Sequence, residues 1–296
     1  MEKYKCKSAG IIGSGIQGVC IGLQLIKKGI PVTIFDRHDP LSKNFHPASY
    51  GNAGHFSPYA VLQFNRTDIL YDVPKMLFSS NGPLALKWNH VPKMIPWLLH
   101  YLKNCNKKSM LHTAKYMNQI LSLSNDAYEE ILKEIDTTNL IKKKGIIYVW
   151  TKKNLKSREL EIKVRKDLGI EQKLLTQKEI LKLEPNLKPV FDSGVIYENA
   201  MHARDPQGIL KKIFKLFIDK GGKFIQANVK SLEQISINET VIKTEGDAYK
   251  FEKTVVASGA FSKQLTDKLG ENIPLDTERG YHVHFKKKDN LIKRPV

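Results

Sequence analysis

The chain is short of cysteine and arginine and has no long apolar run, and each shortage closes off a class of function. Three cysteines, Cys6, Cys20 and Cys105, are spread over 296 residues. An odd number with no C-x-x-C pair argues against a disulfide framework and against a thiolate metal site. A reducing, cytoplasmic setting suits such a chain, and no metal is expected. Seven of the 48 basic residues are arginine. Nucleic-acid binding favours arginine-rich clusters interleaved with aromatics, so no nucleic-acid partner is expected. Beyond the N-terminal stretch, no apolar run reaches the roughly 20 residues that span a bilayer. Internal repeats and low-complexity linkers are also missing.

What is there is an ordinary 41% hydrophobic content and an unusual formal net charge of +18. The length suffices for one large domain or two modest ones, with ample core. Lysines scattered along a whole chain read first as coding bias rather than as a binding surface. The same charge also attracts a protein to an anionic membrane surface. From Pro74 to Lys103, apolar and basic residues alternate around Trp88, Trp97, Leu98, Leu99 and Tyr101. That stretch reads either as short core helices of a cap domain or as a membrane-docking patch.

The densest signal is glycine. Gly13, Gly15, Gly18, Gly22 and Gly29 follow one spacing, with Gly10 just ahead. The apolar run Ala9–Ile12 leads in, and a second, Pro31–Phe35, leads out to Asp36. This is the pattern of a βαβ unit that holds a dinucleotide. Gly13 permits the turn out of the strand, Gly15 lets a pyrophosphate approach the backbone, and Gly18 lets helix and strand pack closely. The helix N-terminus points its free N–H groups at the phosphates. Gly29 falls where that helix should stop on a left-handed residue. Asp36 is placed to bond ribose hydroxyls and to repel a 2′-phosphate, which selects FAD or NAD over NADP; Arg37 weakens that exclusion. Lys3, Lys5 and Lys7 ahead of the apolar stretch imitate a secretory signal, but five glycines, Ser14 and two glutamines make it a poor membrane helix.

Further along, the loop Asp39–Pro58 is rich in small residues, which suits backbone running against a ligand. Met117, Ile120, Leu121, Leu123, Tyr128, Ile131 and Leu132 predict one long amphipathic helix over 112–135. Strands are expected at Gly145–Trp150, Gly194–Glu198, Phe224–Val229, Thr254–Ala257 and Tyr281–Phe285. Helices are expected near 155–168, 176–183 and 261–269. Asp205-Pro206 opens another with an N-cap carboxylate and a proline at the first helical position.

Six runs occur in a telling order: Gly10 to Gly29, Gly51-Asn52-Ala53-Gly54-His55, Gly82-Pro83-Leu84-Ala85-Leu86, His202-Ala203-Arg204-Asp205-Pro206, Val255-Val256-Ala257-Ser258-Gly259-Ala260 and Glu278-Arg279-Gly280-Tyr281-His282-Val283. From Ala9 to Val296 the chain resembles the FAD-dependent D-amino-acid dehydrogenase small subunits of the D-amino-acid oxidase superfamily. The resemblance implies an α/β fold, α+β overall, in which a Rossmann-like FAD-binding domain (1–57 and 196–270) is interleaved with an α+β substrate domain (58–195 and 271–296). It implies FAD as cofactor, a D-amino acid as substrate and a quinone-type acceptor at the inner membrane, where the chain would sit peripherally. The implied cofactor residues are Gly13, Ser14, Gly15, Ile16, Gln17, Gly18, Asp36, Arg37, Asn52, Ala53, Gly54, Val229, Ala257 and Gly259. His55 would polarise the flavin or pack locally. Arg279, with Tyr281 and His282, would meet the substrate carboxylate, or Arg279 would form a structural ion pair. A glycine/sarcosine-type amine oxidase shares the glycine motif, and a non-catalytic FAD-binding remnant is a further reading. The resemblance also implies a final FAD segment beyond Val296, so this chain is expected to be truncated and a weak catalyst.

Overall fold

Two separately cored units arise from one chain that crosses between them five times. The computed structural model describes residues 6–43, 47–62, 73, 75–79, 87–151, 155–275, 280, 283 and 291–296. In chain order it runs β1 (Ala9–Ile12), α1 (Ile16–Lys27), β2 (Val32–Asp36) and β3 (His55–Phe56). A 3-10 turn at Trp88–His90 precedes α2 (Val91–Asn104), α3 (Lys107–Leu121) and α4 (Ser124–Leu132). Then come β4 (Ile141–Lys142), β5 (Ile146–Trp150), α5 (Leu155–Asp167), β6 (Lys173–Thr176), α6 (Gln177–Leu183), β7 (Ser193–Tyr197) and β8 (Met201–Ala203). The last stretch holds α7 (Pro206–Asp219), β9 (Lys223–Gln226), β10 (Ser231–Ser236), β11 (Glu239–Lys243), β12 (Ala248–Phe251), β13 (Lys253–Val256) and α8 (Ser262–Thr266).

The first unit comprises Met1–Gly54, Glu130–Ile141 and Ala203–Lys287. Its sheet has the order β13-β1-β2-β9, with every pair parallel. Parallel strands need crossovers, and α1 and α7 supply them. On one face α1 lies close, because Gly22 offers no side chain: a Cβ there would sit 3.1 Å from both Ile34 Cδ1 and Phe217 Cε2. On the other face the antiparallel meander β10-β11-β12 packs through Leu232 and Ile242 against Ile12, Phe35 and Leu265. Gly10 permits that, since a Cβ there would fall 2.6 Å from Phe251 Cδ2. The expected α/β Rossmann-like architecture is therefore present.

α1 ends as its sequence predicts. Gly29 takes φ +74°, its N–H donates to Ile26 O (2.8 Å), and Ile30 N donates to Leu25 O (3.0 Å). That pair of bonds is a Schellman motif. Asp205 caps α7 by accepting from Gly208 N at 2.8 Å, with Pro206 at the first helical position.

The second unit comprises His55–Glu129, Lys142–His202 and Lys288–Val296. Its sheet, β5-β7-β6, is antiparallel throughout. Alternation along β5 sends Ile146 and Trp150 into a cluster with Tyr59, Val195 and Tyr197, and Ile147 into another with Leu175, Ile180, Phe191 and Ile196. Both faces are covered, so neither reads as a solvent face. β3 pairs antiparallel with β8, placing His55 opposite His202.

These boundaries differ from the expected 57/58 and 195/196. β7 is hydrogen-bonded on both sides inside the second unit, which keeps 196–202 with it. Residues 130–141 join the first unit, because Glu134 pairs with Lys27 and Lys220 while Asp136 pairs with Lys212. The single helix expected over 112–135 is two. Ser124 Oγ donates to Leu121 O at 2.6 Å, and Ser122-Leu123 break the ladder. Such side-chain competition with helical carbonyls weakens a helix interior. β9 stops at Gln226, short of the expected Val229. The 261–269 helix is α8 between two 3-10 turns. The Tyr281–Phe285 strand lies outside the described residues, Val283 apart.

The end of the chain is anchored inside the second unit. Glu184 is 1% exposed and accepts from Lys293 N (2.7 Å) and Arg294 Nε (2.9 Å). Arg294 Nη1 reaches Lys144 O at 3.0 Å, and Ile147 N donates to Pro295 O at 3.1 Å. Removing one member of a buried, hydrogen-bonded ion pair strands the other and costs about 3–5 kcal/mol. Glu184→Ala is therefore expected to lower the free energy of unfolding in urea by about 3 kcal/mol or more. A loss below about 1 kcal/mol would show that Arg294 finds water instead.

Candidate functional site

The first unit builds a cradle at the C-terminal ends of β1, β2 and β13, where open parallel sheets bind ligands. Its turn is set by glycines that the chain itself requires. Gly13 takes φ +109°, its N–H donates to Phe35 O at 2.8 Å, and a Cβ there would lie 2.5 Å from Ala257 O. A Cβ on Gly18 would lie 1.9 Å from Gly13 O.

Gly15 is different. Its φ of −64° suits any residue, and a Cβ there would meet only Ser49 Oγ, at 3.6 Å. Nothing among the described residues calls for glycine at 15. The space beside it is left for something outside the chain.

The helix end beside Gly15 is prepared for an anion. The N-cap residue of α1 is Gly15, which has no side chain to cap it, and the first turn holds no acid; Ile16 N donates to Ser49 Oγ at 3.2 Å. Gln17 is exposed there, and Gly18 is buried. First-turn N–H groups have no intrahelical acceptor, and the helix dipole favours negative charge at this end. A pyrophosphate fits this site chemically. Cys20, one turn further along α1, is no competing nucleophile, because burial pushes its thiol up to about 12.

Asp36 has a job the sequence did not disclose. Ser14 is fully buried, and both its N–H and its Oγ donate to Asp36 Oδ2 at 2.8 Å. His38 N donates to Oδ1 at 3.1 Å. The carboxylate thus staples the end of β2 to the β1–α1 turn. A carboxylate offers about four lone-pair sites, so Oδ1 keeps room for a ribose hydroxyl.

The remaining expected cofactor residues fall into three groups. Arg37 lays its guanidinium 4.6 Å from the Phe261 ring centroid, and its carbonyl accepts from Gln226 Nε2 at 3.2 Å. Ala257 N donates to Ile12 O at 2.8 Å, which extends the β13–β1 ladder to the rim, and Gly259 (φ +57°) opens the 3-10 turn beyond. Val229 instead packs on the Phe35–Leu232–Ile242 cluster, so its side chain serves the core.

Asn52, Ala53 and Gly54 form a tight loop. Asn52 Oδ1 accepts from Gly54 N at 2.8 Å, and Gly54 takes φ +69°. Ala203 N donates to Gly54 O at 2.7 Å, and a Cβ on Gly54 would lie 2.7 Å from Ala203 O. Two of the sequence runs singled out above therefore meet, 51–55 and 202–206, while Asn52 and Ala53 stay exposed. His55 follows on β3. Partial desolvation lowers its imidazole below the usual 6.5, so it is neutral at pH 7. Arg279, Tyr281 and His282 lie outside the described residues, as does the 82–86 run.

The comparisons with known proteins agree with this geometry. The family model described as "DAO: FAD dependent oxidoreductase" matches residues 9–296. The chain belongs to this family of FAD-dependent oxidoreductases. It is 31% identical over 278 residues to a D-amino-acid oxidase of Bradyrhizobium diazoefficiens (strain USDA 110), covering 94% of this chain and 66% of that protein. It is 27% identical to a D-amino acid dehydrogenase of Vibrio atlanticus (strain LGP32), covering 92% and 66%. Among solved structures, glycine oxidase from Geobacillus kaustophilus shares the fold with a TM-score of 0.59 at 19% identity, over 88% of this chain and 58% of that one. The chain thus spans just under two thirds of the curated relatives it matches. FAD is the dinucleotide for which the cradle is built.

Two outcomes follow from the glycine geometry. Threonine serves as an N-cap about as well as glycine, so Gly15→Thr should leave the melting temperature of the flavin-free protein within about 2 °C. It should raise the FAD dissociation constant about a hundredfold, or about 2.7 kcal/mol, by filling the pyrophosphate approach. Flavin fluorescence titration reads this, and unchanged affinity would remove the cradle from the site. Asp36→Ala should destabilise even the flavin-free protein, by about 1.5–3 kcal/mol, because it strands two donors on buried Ser14. A normal melt would mean that water replaces the carboxylate.

His55 yields a pH outcome. Its depressed folded pKa means that the unfolded chain binds the proton more readily, so His55's contribution to stability falls as pH drops through 6.5 and below. His55→Gln should flatten that slope, and NMR of the ring should show a titration midpoint under 6.5. A midpoint at or above 6.5 would contradict the desolvated setting.

Proposed function

We propose that the chain carries out, or forms the greater part of a protein that carries out, oxidative deamination of D-amino acids. The observation that carries this reading is the 31% identity to a D-amino-acid oxidase over 94% of the chain, with the Gly15 cradle intact. When bound, FAD supplies a hydride acceptor for the substrate's Cα–H, after which the imino acid takes up water to give a 2-oxo acid and ammonia, and a quinone-type acceptor removes the two electrons.

The chain's own part is holding and orienting. The N-terminus of α1 neutralises pyrophosphate charge, and Asp36 keeps the turn that aims it. Asn52–Gly54, fixed to Ala203, offers a rigid exposed backbone edge in the same unit. His55, neutral at pH 7, acts as a hydrogen-bond donor or acceptor rather than a fixed charge. Arg279 supplies a bidentate cation for a carboxylate substrate, with Tyr281 and His282 beside it in sequence.

A second reading is a glycine/sarcosine-type amine oxidase that passes electrons to oxygen. The fold shared with glycine oxidase and the oxidase name of the relative from Bradyrhizobium favour it. One experiment separates the two. FAD-loaded protein is mixed anaerobically with D-alanine, L-alanine or sarcosine, and the oxidised flavin band is followed. Bleaching by D-alanine alone, with reoxidation faster by a soluble quinone than by oxygen, is the expected result. Bleaching by sarcosine, or rapid reoxidation by oxygen, would favour the second reading. No bleaching by any of the three would overturn both. In the same assay, Arg279→Ala should weaken the apparent affinity for D-alanine about tenfold or more, as loss of a charged hydrogen bond does. An unchanged affinity would return Arg279 to a structural role.

A further inference from the structure

The second unit has more apolar helix surface than it covers, and that surplus lies in a stretch of one charge sign. From Val73 to Asn125 the sequence holds no aspartate or glutamate, seven lysines and no arginine. Within this stretch α2 and the turn before it bury no side chain. Trp88, Trp97 and Leu99 are 65%, 59% and 62% exposed. Ile95, Leu99 and Leu102 recur at helical spacing on one exposed stripe, while Val91, Met94, Leu98 and Tyr101 form a half-buried stripe that runs on to buried Cys105. α3 repeats the pattern. Met110, Ala114, Met117 and Leu121 face a core cluster, yet Tyr116 and Ile120 on the same helix, and Leu123 just past its end, are exposed.

We propose that α2 docks the protein on an anionic phospholipid surface, lying in the interface with Ile95, Leu99 and Leu102 among the acyl chains. The partner must be apolar and must bring negative charge, because the segment brings only lysine. Lipid meets that description better than a protein does. Protein interfaces are enriched in arginine and depleted in lysine, whereas lysine stems lie along apolar surface while their ammonium groups stay at the headgroups. Tryptophan suits the same boundary. At 14 residues, about 21 Å at 1.5 Å per residue, α2 is too short to cross the about 30 Å hydrocarbon core. Among the described residues no helix is long and apolar enough to cross. The inference deepens the quinone-acceptor reading, yet it is measured without electron transfer, so the two can fail separately.

The test is sedimentation of the 296-residue protein with vesicles. Phosphatidylcholine vesicles carrying phosphatidylglycerol should carry the protein down at low salt, and pure phosphatidylcholine vesicles should leave it in solution. Ile95→Ala/Leu99→Ala/Leu102→Ala keeps the charge and favours helix. It should cut partitioning into the anionic vesicles about tenfold or more. Ile237→Ala, which truncates a side chain 79% exposed in the turn after β10 of the first unit, should change nothing. Lys93→Gln/Lys103→Gln should weaken binding and its salt dependence. Equal partitioning of the triple variant and the parent would overturn the proposal, as would equal binding to neutral vesicles. So would a parent dimer that the triple variant converts to monomer with vesicle binding unchanged, since α2 would then cover a second copy.

Discussion

A methyl group on residue 18 would lie 1.9 Å from the carbonyl oxygen of Gly13, and the first unit depends on its absence. With hydrogen there instead, α1 starts directly against the end of β1. That closeness turns the chain at Gly13 and carries Gly13 onto the Ala257–Ser258 backbone of β13's exit. It also sends Ser14 inward, where a fully buried hydroxyl and N–H need an acceptor. Asp36 is that acceptor. One missing side chain therefore ties together the exits of β1, β2 and β13, three stretches separated by up to about 240 residues.

This hierarchy separates the glycines by purpose in a way that spacing alone does not. Gly13, Gly18, Gly10 and Gly22 each face atoms of this chain at distances that forbid or crowd a side chain. A side chain on Gly15 would meet, among the described residues, just Ser49 Oγ at the ordinary contact distance of 3.6 Å. A glycine that its described neighbours do not require, at the end of a helix with no acid in its first turn, leaves that end accessible to a ligand. Family membership then says which ligand, and the uncapped, acid-free helix end suits the charge of its pyrophosphate.

Elements specified by neighbouring residues are legible in the sequence, and those specified by long-range contacts are not. The β1–α1–β2 unit, the stop at Gly29 and the cap at Asp205 each rest on residues within a few positions of one another. Asp36 was legible as an acid at the end of a strand, but not as the partner of Ser14, because a hydrogen bond leaves no mark on spacing. Glu184 and Arg294 are 110 positions apart and share no motif. The boundary at 54/55 and the transfer of 130–141 to the first unit depend on strand pairing and ion pairs that only folding brings together. The 112–135 prediction failed for a related reason. With apolar residues both on the core side of α3 and off it, periodicity identifies a helix but cannot say which of them are inside, and Ile120 and Leu123, counted toward the buried face, are exposed.

That failure is itself informative. An apolar side chain left in water forgoes roughly the burial energy a core would provide, and a single one needs no explanation. Two successive helices that each leave apolar side chains exposed, in a stretch with no carboxylate, are a different matter. Repulsion among seven lysines disfavours packing two copies of this stretch together unless counter-charge intervenes. The overall +18 says little, because lysine is spread everywhere. The local absence of acid says more, because none of these seven lysines has an ion pair among the described residues, whereas Glu134 holds Lys27 and Lys220. Surplus apolar area beside lysines that have no ion pair among the described residues is what the proposed docking on an anionic bilayer would use.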